Sequence, residues 1–412
     1  MKKTYLKLLT LLSLSLMLLV GCGKAQEKAQ TDLPEAWEDL LTQAKGSTVT
    51  FYGWGGSQQI NQWLETEVAQ QIQKDYQITF KRVGMNIDDI LNQLLTEKAA
   101  GKAVGTADII WINGENFYNA KENQLLYGPF SSKLPNYAQL IDGQLQEHQY
   151  DFGHPIEGYE APFGKAQFVM AYRSDLYTEM PGDCDSLLAW AKAHPGQMTY
   201  PAPPDFTGSA FVRNIIYEKL GHEAFMHMEA DEATVRKAIE PAIAYLKELA
   251  PYLWKEGSYY PADSALMNNL YADGEISVTM SYNPNEAANK IATGEFMKST
   301  KSFIFDKGSI GNTHFLAIAK NAPNKAGAMV VINALMSPEL QASKYDPKHW
   351  GDLPVLDNSK MTAQAKSLFE AIPLGESTLP QDQLMAHRLP EMPAPLVPII
   401  EKIWQENFAS GQ

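Results

Sequence analysis

The stretch Thr48–Trp63, TVTFYGWGGSQQINQW, decides how the rest of the chain is read. An apolar run closes on Gly53-Trp54-Gly55-Gly56-Ser57, and Ile60, Trp63 and Leu64 then recur at helical spacing. Strand, glycine turn and helix is the opening of a βα unit, and it is how a nucleotide site begins.

The alternation continues outward from this turn. The helical period runs over 58–74, with Val68 and Ile72 on the same side. YQITFKRV is a second strand, and 87–100 is a second helix with Ile87, Ile90, Leu91, Leu94 and Leu95 as its stripe. ADIIWIN, 107–113, is a third strand. Upstream, Trp37, Leu40, Leu41 and Ala44 mark a short helix over 34–45. Short apolar strands between amphipathic helices predict a mostly parallel sheet covered on both faces.

The pattern restarts downstream. FGKAQFVMAYR (163–173), QMTYPA (197–202), EISVTMSY (275–282) and HFLAIAK (314–320) read as strands. A helix is expected from Ser209 through Leu220. Others are expected over 233–254, with Pro241 and Pro251 at boundaries or kinks, over 324–337, and across the tail 361–408. No repeat or low-complexity tract appears. A restarted α/β pattern in 412 residues predicts two lobes, with strand-end loops of both facing one cleft.

The N-terminus carries an address. Lys2, Lys3 and Lys7 precede an apolar run from Leu8 to Val20, and Leu19-Val20-Gly21-Cys22 follows. The run is shorter than the roughly 20 residues of a spanning helix, so it reads as an export signal. Leu-Val-Gly-Cys resembles the bacterial lipobox, which implies cleavage before Cys22, lipid such as palmitate on that residue, and anchoring at a membrane facing the periplasm or cell exterior. Residues 22–33 then form a tether. Cys184 is the only other cysteine, so lipid on Cys22 would leave no intramolecular disulfide. The full chain has net charge −14. Removal of 1–21 takes three lysines and no acid, leaving 31 basic against 48 acidic residues, or −17. That balance disfavours nucleic acid and anionic lipid surfaces and mildly favours a cationic ligand.

Enzyme motifs fail one by one. The third glycine of a dinucleotide turn falls on Gln58, and Lys81 and Arg82 stand where a ribose-binding acid belongs. His222 and His227, flanking Glu223, are five residues apart, about 140° around a helix, where a zinc site needs four. There is no G-x-S-x-G elbow and no phosphate loop. Tyr259-Tyr260 raises a ferric-iron possibility, without clustered His or carboxylate ligands beside it. No metal, cofactor or catalytic residue is assigned.

Six stretches together resemble the extracellular solute-binding proteins of bacterial ABC importers. They are YGWGGSQQIN, ADIIWINGENFYNAKENQLLYGPF, APFGKAQFVMAYRSD, PAPPDFTGSAFVR, GEISVTMSYNPNEA and HFLAIAKNAPNKAGAMVVINALMSPELQ. The YnjB-type subgroup, a distant relative of thiamine, polyamine and iron binders, is the nearest in pattern. The resemblance implies a type II periplasmic-binding-protein fold: two α/β lobes, each a mostly parallel sheet flanked by helices. It further implies hinge closure on a small solute and delivery to a permease with its ATPase, the receptor being a monomer. Crossings between the lobes are expected near 163–170, 281–285 and 320–328. The N-lobe would be 45–165 plus 284–322, and the C-lobe 166–283 plus 323–412.

The cleft loops follow from strand ends. Trp54, Gly55, Gly56 and Ser57 offer a flat ring and close backbone approach. Asn113, Glu115 and Asn116 follow the third strand, though Asn116 suits a helix cap equally. Asp205, Phe206, Thr207 and Ser209 offer an acid and a ring, with Ser209 equally suited to capping. Ser281, Tyr282, Asn283 and Glu286 close the set; Glu286 also suits a first helical turn. Acids and aromatic faces rank a cationic or heteroaromatic small molecule first, then a sugar, then an anion or iron. The alternative class is an exported, lipid-anchored enzyme on the same scaffold.

Overall fold

A computed structural model describes residues 33–409. The expected signal segment, Cys22 and the tether up to residue 32 lie outside them. Among the described residues, no helix is long and apolar enough to cross a membrane.

The opening stretch forms as its pattern predicts. Strand β1 (Thr48–Gly53) pairs in parallel with β2 (Thr79–Gly84) on one side and β3 (Ile109–Ile112) on the other. Val49, Phe51, Ile109 and Ile110 are fully buried, as strands covered on both faces require. Residues 58–76 are helical throughout, with one wide π turn at Leu64–Val68, and the helix ends at Gln77 in a left-handed conformation. β3 then pairs antiparallel with the long strand Ser309–Ala319, making the first sheet mixed.

The second sheet has three strands, Thr300–Phe303, Val169–Arg173 and Val278–Ser281, and both pairings are antiparallel. The mostly parallel arrangement expected there does not occur, because each strand pairs with a neighbour running back past it rather than with a βαβ partner. The expected strand 197–202 is absent. Its backbone bonds go to scattered segments instead, Gln197 O accepting from Ser277 and Val278, Met198 O from Trp254, and Ala202 N–H donating to Pro261 O, so no ladder forms. Pro241 lies inside the helix Glu232–Leu249.

Two hydrophobic cores result. The first takes Leu40 to Ile141 and Phe315 to Leu356, and the second takes Phe168 to Ile310 and Met392 to Trp404. The helix Lys325–Leu335, expected in the C-lobe, is buried along its whole length in the first core, against Trp37–Ala44. Residues 300–303, expected in the N-lobe, form a strand of the second sheet, and Phe303, Phe305 and Ile310 pack in the second core. Apolar periodicity reports that a helix is buried and not which core buries it.

The chain passes between the cores at three places. In Glu160–Gln167, Phe163 belongs to the first core and Ala166 to the second. In Ser309–Ala319, Ile310 belongs to the second and Phe315 to the first, so this passage precedes the expected 320–328. These two strands pair antiparallel, with a register shift between His314 and Phe315. The third passage lies between Phe369, packed on the first core, and Met392 in the second; the segment 350–353 stays with the first core, where Trp350 O and Gly351 O accept from Asn283, Asn285 and Asn289, and no chain crossing occurs at 281–285 itself.

Candidate functional site

Packing explains the glycines of the opening turn. A Cβ on Gly53 would meet Phe51 Cε1 at 2.8 Å and Trp111 Cβ at 3.2 Å. Gly55 approaches the backbone of Gly84, and Asn61 Nδ2 donates to its carbonyl at 2.8 Å. A Cβ on Gly56 would lie 2.2 Å from Trp54 Cζ2, so the indole folds back over this glycine while staying 42% exposed. Ser57 caps the following helix by accepting from Ile60 N–H at 3.4 Å.

The loop after β3 reaches the second core. Gly114, at φ +64°, turns the chain into the helix Glu115–Glu122, and its N–H donates to Asp151 Oδ2 at 2.6 Å. That helix lies against the turn Ala394–Leu396 of the other lobe. Asn113 is half-buried. Asn116 Nδ2 donates to Glu115 Oε1 at 3.3 Å rather than capping the helix. The Glu115 side chain keeps a solvent-facing edge, yet its carboxyl is crowded by protein. Burial, helped by the charge of Glu401, pushes its pKa up to about 7.

Beside Asp151 stands Phe152, at φ +45° in a tight hairpin turn with Gly153. The ring crosses into the second core. It lies 6.1 Å from Phe206 and 5.7 Å from the Arg213 guanidinium.

From the second lobe comes the helix Phe206–Leu220. Asp205 caps it, Oδ1 accepting from Thr207 and Gly208 N–H at 3.0 Å each, while Oδ2 accepts from Ser264 N–H at 3.2 Å. With three backbone donors, Asp205 is a structural cap, although burial still raises its pKa. Thr207 is buried on the first turn. Ser209 is not the cap; its hydroxyl donates to Glu401 Oε1 at 2.6 Å and accepts from Arg213 Nη1. Arg213 pairs with Glu391, to which the Tyr282 hydroxyl also donates, and the Tyr282 ring lies 5.0 Å from Phe206.

The 281–286 loop connects this group to the opening turn. Ser281 Oγ accepts from Asn283 N–H at 2.9 Å, and Asn283 Nδ2 donates to Trp350 O at 3.0 Å. The Trp350 ring lies 5.1 Å from Trp111, which packs on Gly53. Glu286 opens the helix Glu286–Ala292 and accepts from Asn268 Nδ2 at 3.3 Å; burial raises its pKa.

The structure thus gathers Glu115, Phe206, Ser209 and Tyr282 around Phe152 and Arg213. Asn283 is linked to the opening turn only at Gly53, through Trp350 and Trp111, and the hydrogen bonds and ring contacts of the described residues bring neither it nor Trp54 to Ser57 to that group. Tyr259 is exposed with Lys255 Nζ 5.2 Å from its ring, whereas Tyr260 is buried against Tyr200 and Trp404, so the two do not face one site. Phe152, Arg213, Glu391 and Glu401 were missed in the sequence. The only local signal was Asp151-Phe152-Gly153, a turn-forming run.

Comparisons with known proteins agree with this architecture. A family profile described as bacterial extracellular solute-binding protein matches residues 67–371. Protein YnjB of Escherichia coli (strain K12) is 38% identical over 377 residues, 91% of this chain and 94% of that protein. Among solved structures, AfuA from Actinobacillus pleuropneumoniae, with fructose-6-phosphate bound, superposes with a TM-score of 0.61 at 14% identity, covering 88% of this chain and 99% of that one. Iron-bound HitA from Pseudomonas aeruginosa superposes with a TM-score of 0.59 at 15% identity, covering 87% and 99%. At such identities these structures speak for the fold alone, that of type II periplasmic binding proteins. With two lobes joined by crossing strands and a family match over most of its length, the chain belongs to the bacterial extracellular solute-binding proteins of ABC transporters.

Proposed function

We propose that this protein is the lipid-anchored receptor of an ABC importer and that its solute is a small organic cation held between the lobes. The observation that carries the choice of ligand is charge. Glu115 of the first lobe and Glu401 of the second repel each other across the interface. Arg213, paired with Glu391, offsets only part of that repulsion. A cation between Glu115 and Glu401 would turn that repulsion into attraction and favour closure. The rings of Phe152, Phe206 and Tyr282 add faces for a heteroaromatic or alkylammonium group. Trp54 and the 281–286 loop would supply further contacts for a larger solute. Lipid on Cys22 would hold the receptor near its permease and ATPase.

A thermal-shift panel of thiamine, polyamines, sugars, phosphate and ferric citrate tests this. A ligand at a hundredfold over its Kd stabilises by about 2.7 kcal/mol, which is readily seen. An organic cation should raise the Tm, and Glu115→Gln or Glu401→Gln should weaken its binding about tenfold or more. A shift with sugars or anions alone would rule the cation out. Recovery of a chemically altered ligand after long incubation would point to an enzyme instead.

A further inference from the structure

A hollow of about 380 Å³ lies beside the third passage, where that segment runs between the lobes. Its size suits a small molecule. From the second lobe come the end of the helix Glu286–Ala292 and the start of the edge strand Thr300–Phe303. The turn 346–348, just before Trp350 of the first core, faces them. The passage itself contributes 373–377, and Ser302 N–H donates to Ser377 O at 3.0 Å, so this segment covers the free edge of the strand. The hollow shares no residue with the group around Phe152 and Arg213.

The lining divides by chemistry. Ala288 and Pro347 are buried, Ile291 and Leu374 are half-buried, and together they make an apolar floor. Lys298 and Lys301 of the second lobe and Lys348 of the first stand exposed around it. Among the described residues none of these three has a carboxylate within ion-pair reach, whereas Lys290 on the adjoining helix is tied to Glu295. Two acids share the lining. Asp346 Oδ1 accepts from Lys348 N–H at 2.9 Å, which holds it in its own turn, and Glu376 is exposed. The local balance is therefore positive, in a chain whose formal net charge is −14.

We propose that this hollow is a second ligand site and that it takes a small organic carboxylate. The apolar body would lie on Ala288, Ile291 and Leu374, and the charge would meet the lysines of both lobes. Exposed ion pairs contribute little by themselves. The apolar body therefore supplies most of the affinity, and the lysines select the sign of the charge. An inorganic anion lacks the body, and an alkylammonium has the wrong sign.

Methyl-labelled NMR on the full chain reads the site directly, with octanoate, octylammonium and inorganic phosphate as probes. Octanoate should shift the methyl signals of Ala288, Ile291, Ala292 and Leu374 saturably. Phosphate should leave them in place, and octylammonium should bind there about threefold or more weakly. Lys301→Gln and Lys348→Gln change exposed side chains, so folding is preserved, and each should raise the octanoate Kd about two- to fivefold. Glu376→Gln removes the opposing charge and should lower it. The site is overturned if octanoate gives no saturable shift at these methyls up to about 10 mM, roughly tenfold above a millimolar Kd. Equal affinity for octylammonium, shifts with phosphate as large as those with octanoate, or a Kd unmoved by all three substitutions would each overturn the carboxylate assignment. A failure of every cation in the thermal-shift panel would leave this result standing, because the two sites share no residue.

Discussion

Arg213 and Glu391 meet in a two-point ion pair inside the second lobe, Nε to Oε1 at 2.9 Å and Nη2 to Oε2 at 3.4 Å, both side chains shut off from water. Removing one partner strands the other charge. Glu391→Ala should cost about 3–5 kcal/mol in urea unfolding, whereas the double change Arg213→Met with Glu391→Leu should recover most of that loss. Equal instability of the single and double variants would mean that packing, not charge, is what Glu391 supplies.

Glu115 should make cation binding pH-dependent. Its pKa near 7 comes from burial first and Glu401 second. A bound cation favours the ionised form and lowers that pKa, so binding releases a proton. Affinity should therefore rise between pH 6 and 8, by up to about tenfold per unit below the free pKa. Calorimetry in buffers of different ionisation enthalpy should show the proton released, and Glu115→Gln should abolish both signals.

Glu160 is fully buried, and neither carboxyl oxygen has a hydrogen-bond partner in the described structure. Burial, then the nearby Asp151, raises its pKa well above the usual range. The folded state thus holds a proton that the unfolded chain releases above its ordinary pKa of about 4.5. Stability contributed by this group is intact at acid pH and falls as pH rises toward the folded pKa. Glu160→Gln mimics the protonated form. It should leave the Tm unchanged near pH 4 and raise it at pH 8 by a few degrees, roughly 1–3 kcal/mol. A lower Tm at pH 8 would show that the ionised carboxylate is needed.

The glycine turn separates stability from binding. Gly53→Ala drives a methyl into Phe51 and Trp111 and should destabilise by about 1–3 kcal/mol. Gly56→Ala only pushes the exposed Trp54 ring aside. It should keep the urea midpoint, shift the tryptophan emission and weaken ligand binding if Trp54 lines the cleft. Unchanged affinity would remove Trp54 from the site.

How far the molecule could be read from its sequence depended on distance along the chain. Strands β1 to β3 and their helices were legible because apolar period and turn chemistry act within a dozen residues. The loop ends 113–116 and 205–209 could be singled out by the same local logic. Phe152, Arg213, Glu391 and Glu401 could not, because what makes them notable is their meeting across 178 and 192 residues of chain. Asp205 was legible as a position and read as an acid able to pair with a cation; its capping of Thr207 and Gly208 is local, but its third donor, Ser264 N–H, appears only once that segment is folded against it. The helix Lys325–Leu335 was assigned to the wrong core for a related reason, since an all-round apolar helix carries no mark of its neighbours.

If the proposed site holds the solute, the double duty of its loops constrains how this protein could change its solute over evolutionary time. Ser57 and Asp205 hold helix ends, and Asn283 ties the 281–286 loop to Trp350. Replacing any of them to suit a new solute would weaken the scaffold at the same stroke. Trp54, whose ring rests on Gly56, and Asn116, bonded only to its neighbour Glu115, carry fewer such obligations. Divergence among relatives that differ in cargo should concentrate at these two positions while the helix-holding residues stay put.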